Sequence, residues 1–204
     1  MPEYSDCALR ESLRERAMKR EQPILRSNAW RAAMMQAKKV KVLLLDVDGV
    51  LTDGTLFYGA TEEVKAFNTL DGFGLRLLRE AGIAVGIITA RSSEAVSRRA
   101  KELKLEHVYT DCRNKKEAYA AIREQQGLLP EQTAFMGDDW LDLPVLMQVG
   151  CSFAPANAAA EVRRQVDYVT EKSGGHGAVR EACELILESK DLLAELLKKY
   201  MQVP

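Results

Sequence analysis

Histidine is nearly missing from this sequence, with two residues, His107 and His176, far apart among 204. That excludes a histidine-rich zinc centre and argues against a histidine-based catalytic triad. Cysteine is scarce too. Cys7, Cys112, Cys151 and Cys183 form no Cys-x-x-Cys pair, and none is followed six positions later by arginine. A disulfide scaffold and a cysteine-nucleophile phosphate loop are thereby excluded, and a reducing compartment is expected. No apolar run approaches the roughly 18 residues of a membrane span. The N-terminus is too charged for the apolar middle of a signal peptide, so a cytoplasmic protein is the expectation. With 29 basic against 30 acidic side chains, no excess of one sign points to nucleic acid or to a membrane surface. Catalysis, if present, rests on carboxylates, hydroxyls and lysines.

Residues 1–39 stand apart, with nine Lys/Arg and five Asp/Glu. Arg10–Arg20 reads as a charged helix, Pro23 as a breaker and Asn28–Lys39 as a second short helix. We take 1–39 as a charged helical extension and 40–204 as one domain. From Val40 onward, short apolar runs alternate with helical patterns. The runs are Val40–Leu45, Ile83–Ile88, His107–Tyr109, Thr133–Met136 and Cys151–Phe153. The helices fall at Gly72–Ala81, Ser92–Lys104, Lys115–Gln126, Leu141–Val149 and Gly177–Tyr200. This alternation predicts an α/β fold, a Rossmann-like doubly wound parallel sheet with right-handed crossovers. One stretch breaks it: Thr55–Tyr58 and Val64–Phe67, bridged by Gly59–Glu63, read as a β-hairpin flap after the first strand.

In such sheets ligands bind beyond the carboxyl ends of the strands, and there the sequence concentrates its chemistry. The first run is followed by Asp46, Val47, Asp48 and Gly49, the second by Thr89, and the fourth by Gly137 and Asp138. Lys115 opens the helix before that fourth run. This set suits phosphoryl transfer. Asp46 can attack phosphorus as a nucleophile, and Asp48, two residues on, can protonate the leaving oxygen and then activate water. Asp46 and Asp138 can supply carboxylates to Mg²⁺, which prefers oxygen ligands. Thr89 can hydrogen-bond the phosphoryl group and Lys115 can neutralise its charge. Asp142, one turn beyond Asp138, is expected to support the metal ligands from behind or to be structural.

The segments Asp46-Val-Asp-Gly-Val-Leu-Thr-Asp-Gly54, Ile87-Ile-Thr-Ala-Arg91, Asn114-Lys115 and Gly137-Asp-Asp-x-x-Asp142 resemble the four signatures of the haloacid dehalogenase-like phosphatases. The resemblance runs from about Val40 to Glu188. It extends to Lys65-Ala-Phe-Asn68, Asp71-Gly-Phe-Gly74 and Gly174-Gly-His-Gly-Ala-Val-Arg-Glu181. It implies a Mg²⁺-dependent phosphatase without a cap domain, assembled as a homotetramer and acting on an acidic sugar phosphate of eight or nine carbons. It also implies metal ligation by Asp46, Asp48 and Asp138. Substrate contacts are implied at Asp48, Asn68, Thr69, Leu70, Asp71, Gly72, Arg76, Arg91, Arg99 and Lys115. Leu70 and His176 stand where arginine is usual in that pattern, which removes positive charge available to a sugar's carboxylate. Lys65 is a candidate for a contact across subunits.

Two other classes share part of this pattern. A phosphoacceptor signalling domain also uses acids, a threonine and a lysine at strand ends. It places its acidic pair first and its phosphorylated aspartate later, the reverse of the order here. A non-catalytic module of the same fold is disfavoured by retention of Asp46, Asp48, Thr89, Lys115 and Asp138.

Overall fold

The structure is a computed structural model that describes Glu11, residues 25–60 and residues 63–202. Its centre is β1 (Val42–Leu45), between β4 (Ala84–Ile88) and β6 (Thr133–Met136). Beyond β4 lies β5 (His107–Tyr109); beyond β6 lie β7 (Cys151–Ala154) and β8 (Tyr168–Val169). The order is β5-β4-β1-β6-β7-β8 with every pair parallel. The sequence of β1, Val-Leu-Leu-Leu, is apolar at every position because both faces are covered. Leu43 and Leu45 enter one core and Val42 and Leu44 the other, as the alternating sides of a strand require.

The helices are α1 (Asn28–Ala37), α2 (Thr69–Glu80), α3 (Glu94–Leu103), α4 (Lys115–Gln126), α5 (Leu143–Leu146), α6 (Ala160–Arg163), α7 (Ala178–Ser189) and α8 (Leu192–Met201). In α1, Ser27 Oγ accepts the Trp30 N–H, and Trp30, Ala33 and Ala37 are buried on one helical face. The helix read at Arg10–Arg20 lies outside the described residues, apart from Glu11.

Three local readings change. The helix expected over Gly177–Tyr200 breaks at Asp191, whose φ of 62° is left-handed, so α7 and α8 are separate. The one expected over Leu141–Val149 becomes a 3₁₀ turn, Trp140–Asp142, followed by the single turn of α5. Pro144 falls at its start and lacks an N–H for a preceding turn. The two-residue strand β8, which pairs with β7, carried too short an apolar pattern to be read. The hairpin forms, but its strands, β2 (Phe57–Tyr58) and β3 (Glu63–Val64), are two residues each. Among the described residues this hairpin is the only secondary structure between β1 and α2, and no cap domain stands over the sheet edge. No described helix is long and apolar enough to cross a membrane.

Candidate active site

The site forms where β1 and β6 end side by side. The Asp46 N–H donates to Met136 O, so the residue leaving β1 is still in register with β6. The chain then wraps tightly, with the N–H groups of Val50, Leu51 and Thr52 all donating to Val47 O. Gly49 sits in this turn with φ of 85°, and a Cβ there would lie 2.0 Å from Asp138 Oδ2. Only glycine allows the two loops to approach this closely.

Lys115, at the start of α4, is buried and bridges two carboxylates. Its Nζ lies 2.8 Å from Asp46 Oδ2 and 2.6 Å from Asp142 Oδ1. The other oxygen of Asp142 accepts the N–H groups of Asp138 at 2.9 Å and Asp139 at 3.3 Å. Asp142 therefore holds both Lys115 and the turn after β6. Thr89 is buried at the end of β4. Its Oγ1 accepts the Arg91 N–H, and its carbonyl accepts the Cys112 N–H from the segment leading to Lys115.

One oxygen from each of Asp46, Asp138 and Asp142 can be chosen so that all lie within 4.8 Å of one another. Burial pushes Asp46 up to about 6, with repulsion from Asp142 adding to it and Lys115 opposing. Burial, joined by the charges of Asp46 and Asp142, pushes Asp138 up to about 7. Burial alone would lower Lys115, but Asp46 and Asp142 outweigh it and hold the ammonium charged. Asp138 Oδ1 is buried without a hydrogen-bond partner. Crowded, desolvated oxygens with an orphan among them fit a hard divalent cation. The carboxylate of Asp48 is not in this group. Lys65 Nζ donates to its Oδ1, and Arg91 Nε lies 3.5 Å from its Oδ2. Any part Asp48 takes in metal binding is therefore not through the carboxylate in this arrangement. Lys65, expected to reach a neighbouring subunit, folds back onto Asp48 and Glu63 of its own chain.

The residues expected to touch substrate separate into distinct places. Asn68 caps α2, accepting the Leu70 N–H at 2.7 Å and donating to Gly175 O at 3.2 Å. With Thr69, Asp53 and His176 it lines a cavity of about 390 Å³. Leu70 is exposed and lines another of about 350 Å³ with Trp30, Tyr168 and His176. Asp71 is a correction: it is 1% exposed, and its oxygens accept the N–H groups of Gly177 and Arg180. It is a buried brace between helices and presents no carboxylate to a ligand. Gly72 likewise serves packing, since a Cβ there would lie 2.3 Å from the Arg99 guanidinium. Arg99 donates to Asn68 O, and Arg76 pairs with Glu80. Both line a groove of about 620 Å³ along α2 and α3, and neither pairs with the carboxylate cluster.

The roles of two parts of the site escaped sequence reading. Glu63 joins Lys65 and Arg91 beside Asp48, and nothing in a hairpin's pattern distinguishes it from a solvated acid. Gly174 and Gly175 back the turn after Asp46: a Cβ on Gly174 would lie 1.7 Å from Gly49 O, and the Gly175 N–H donates to Val50 O. The clustered glycines of Gly174-Gly175-His176-Gly177 were the available signal.

Residues 107–181 match the family model described as haloacid dehalogenase-like hydrolase. The chain is 42% identical over 163 residues to the 3-deoxy-D-manno-octulosonate 8-phosphate phosphatase of Escherichia coli strain B, covering 79% of this chain and 87% of that protein. It superposes with a TM-score of 0.81 on the structure of that phosphatase from Moraxella catarrhalis in complex with magnesium ion, phosphate ion and the sugar acid. Identity there is 38%, covering 82% of this chain and 97% of that one. The cobalt-bound Haemophilus influenzae phosphatase gives a TM-score of 0.78 at 35% identity, covering 82% and 99%.

Proposed function

This chain belongs to the haloacid dehalogenase-like hydrolases, as a phosphatase, and we propose that it hydrolyses 3-deoxy-D-manno-octulosonate 8-phosphate to the free sugar acid and phosphate, a step towards lipopolysaccharide precursors. The observation that carries the reading is the junction of Asp46, Asp138 and the buried Lys115 at the carboxyl edge of β1 and β6. A carboxylate oxygen of Asp46 attacks phosphorus as the bond from phosphorus to the sugar oxygen breaks. Asp48, protonated from solvent as the substrate's anions arrive beside it, gives that oxygen its proton, leaving an aspartyl-phosphate. Asp48 then takes a proton from water, whose oxygen attacks phosphorus and releases phosphate with Asp46 regenerated. Lys115 and Thr89 face the charge that develops on the phosphoryl group. Asp46 and Asp138 would hold Mg²⁺, which when bound offsets repulsion between the nucleophile and the phosphate dianion.

The sugar's carboxylate needs a cation, and Arg91, adjoining Asp48 and partly exposed, is the residue we assign to it. Asn68, Thr69, Leu70, Gly72 and Arg76 lie on other grooves of the chain, and we assign them to the site of a neighbouring copy, whereas Arg99 also lines the cavity beside Glu63 and Lys65. We therefore propose a homotetramer in which the exposed Phe57 and Val64 of the hairpin are covered by other copies, since an isolated two-stranded ribbon cannot bury them. Cytoplasmic residence is supported by the free thiols of Cys112, Cys151 and Cys183.

Phosphate release measured with Mg²⁺ across a panel of sugar phosphates tests the reading. The highest kcat/KM is expected for the eight-carbon acid sugar phosphate. A higher value for a nine-carbon acid sugar 9-phosphate would move the assignment to that substrate, and absence of turnover on the whole panel would remove it.

A further inference from the structure

Beside Asp48 the chain builds a closed group of four charges. Lys65 contacts both Asp48 and Glu63, the latter at 2.7 Å, and Arg91 contacts the same two acids. Two cations against two anions leave no net charge. The Lys65 side chain is fully buried, whereas that of Arg91 is 42% exposed, so an arriving ligand meets Arg91 first. An acidic sugar phosphate brings a carboxylate to this group in addition to its phosphate. As it stands, the group has no cation to spare. Adding a third anion to a partly buried, balanced cluster is unfavourable unless one of the resident acids leaves. Asp48 lies two residues beyond the nucleophile in a turn fixed by three N–H bonds to Val47 O. Glu63 instead lies on a two-residue strand of the hairpin. A cavity of about 390 Å³ opens beside it, where Arg98 and Arg99 offer other cations.

We propose that Glu63 is an internal competitor for the sugar acid: its carboxylate holds the place on Arg91 that the substrate's carboxylate takes, and it swings aside when substrate binds. This rests on the acidic-sugar reading of the site. It makes Glu63 a specificity residue of an unusual kind. A phosphate ester lacking a carboxylate leaves Glu63 where it is and gains nothing from Arg91. An acidic one must exchange with Glu63, which filters against weakly bound anions and assists release of the acidic product. Because Glu63 bonds to Lys65 and Arg91, which hold Asp48, a purely supporting role would affect all substrates alike.

The test is steady-state kinetics of Glu63→Gln and Glu63→Asp against the wild-type enzyme. The substrates are 3-deoxy-D-manno-octulosonate 8-phosphate and glucose 6-phosphate, with free 3-deoxy-D-manno-octulosonate as inhibitor. In Glu63→Gln the KM for the acidic substrate and the inhibition constant of the free sugar acid should both fall, by about threefold or more for one partly exposed charge pair. The KM for glucose 6-phosphate should change less, and Glu63→Asp, which keeps the charge, should lie between Gln and wild type. A rise in the acidic substrate's KM, or equal changes for both substrates, overturns the proposal. Should the wild-type enzyme cleave glucose 6-phosphate but not the acidic substrate, the substrate assignment fails separately. The proposal is then decided by whether Glu63→Gln tightens inhibition of that hydrolysis by the free sugar acid, and it falls if the sugar acid inhibits neither enzyme.

Discussion

The carboxylate of Asp71 accepts the backbone N–H of Arg180 at 2.8 Å, joining the first turn of α2 to the first turn of α7 across most of the domain's length. Its second oxygen accepts the Gly177 N–H at 3.3 Å. Both donors belong to the set that a helix N-terminus leaves unpaired, and an anion is favoured there. The segment so anchored, Gly174–Gly177, packs directly on Gly49 and Val50 behind the nucleophile. Asp71 thus acts at a distance on the turn that follows Asp46.

Asp71→Asn is expected to destabilise the fold and lower kcat together. The amide offers one acceptor and turns its NH₂ towards a backbone donor, so one buried N–H loses its partner at a cost of about 2 kcal/mol. That corresponds to a fall in Tm of roughly 4–8 °C for a chain this size. With the backing segment loosened, kcat should drop severalfold and KM for the sugar phosphate should change little. A normal Tm with a raised KM would return Asp71 to substrate binding.

Asp46→Asn should lower turnover by roughly three orders of magnitude or more, because the amide is nearly isosteric but not nucleophilic. The fold should persist, since Asn keeps the backbone bond to Met136 O. Circular dichroism and phosphate release on the same preparation check both halves. Asp48→Asn should slow sugar phosphates far more than p-nitrophenyl phosphate, whose leaving group needs no proton. Equal slowing of both without accumulation of the aspartyl-phosphate would take the acid–base role away from Asp48.

Much of this was legible from the chain because parallel strands advertise themselves. Apolar runs such as Val40–Leu45, interrupted only by Lys41, and Ile83–Ile88 mark strands covered on both faces. The first polar residues after each then had to meet at one sheet edge, which is how Asp46, Lys115 and Asp138 were brought together. Asp71 and Glu63 were not legible in that way. Their roles depend on which residues from distant segments pack against them, Arg180 in one case and Arg91 in the other. A carboxylate that braces two helices has the same local pattern as one that binds a ligand. The break at Asp191 was hidden for a related reason: the apolar spacing of α7 and α8 runs nearly in phase through it, and one left-handed residue leaves that spacing intact.

The hairpin carries the prediction on assembly. Phe57 and Val64 pair across β2 and β3 and are half exposed, at 50% and 53%. Replacing both by aspartate should shift the mass measured by light scattering from tetramer towards monomer. Activity should fall in step, because residues such as Leu70 and Arg76 would lose the neighbouring site they complete. A double variant that remains tetrameric would place the subunit contact elsewhere.

Metal and protons should compete for Asp46 and Asp138. Burial leads the upward shift of both, to about 6 and about 7 from an ordinary value of 3.8. With the metal removed, the folded chain holds protons on these groups at pH values where the unfolded chain has released them. The sign follows: their contribution to stability is fully present below about pH 4 and is lost as pH rises through about 6 and 7. With respect to these two groups, metal-stripped protein should therefore melt at lower temperature at pH 8 than at pH 5.5. Mg²⁺ binds the deprotonated pair, so saturating Mg²⁺ should raise Tm by roughly 5 °C or more at pH 8 and much less at pH 5.5. Calorimetric titration at pH 6.5 should register protons released on binding, seen as a heat that varies with the buffer's ionisation enthalpy. Asp138→Asn removes the more strongly shifted group and should flatten the pH dependence of melting in the stripped protein. It should also raise the Mg²⁺ concentration needed for turnover. Mg²⁺ affinity that is constant from pH 8 to pH 5.5 would mean that these two carboxylates do not hold the metal.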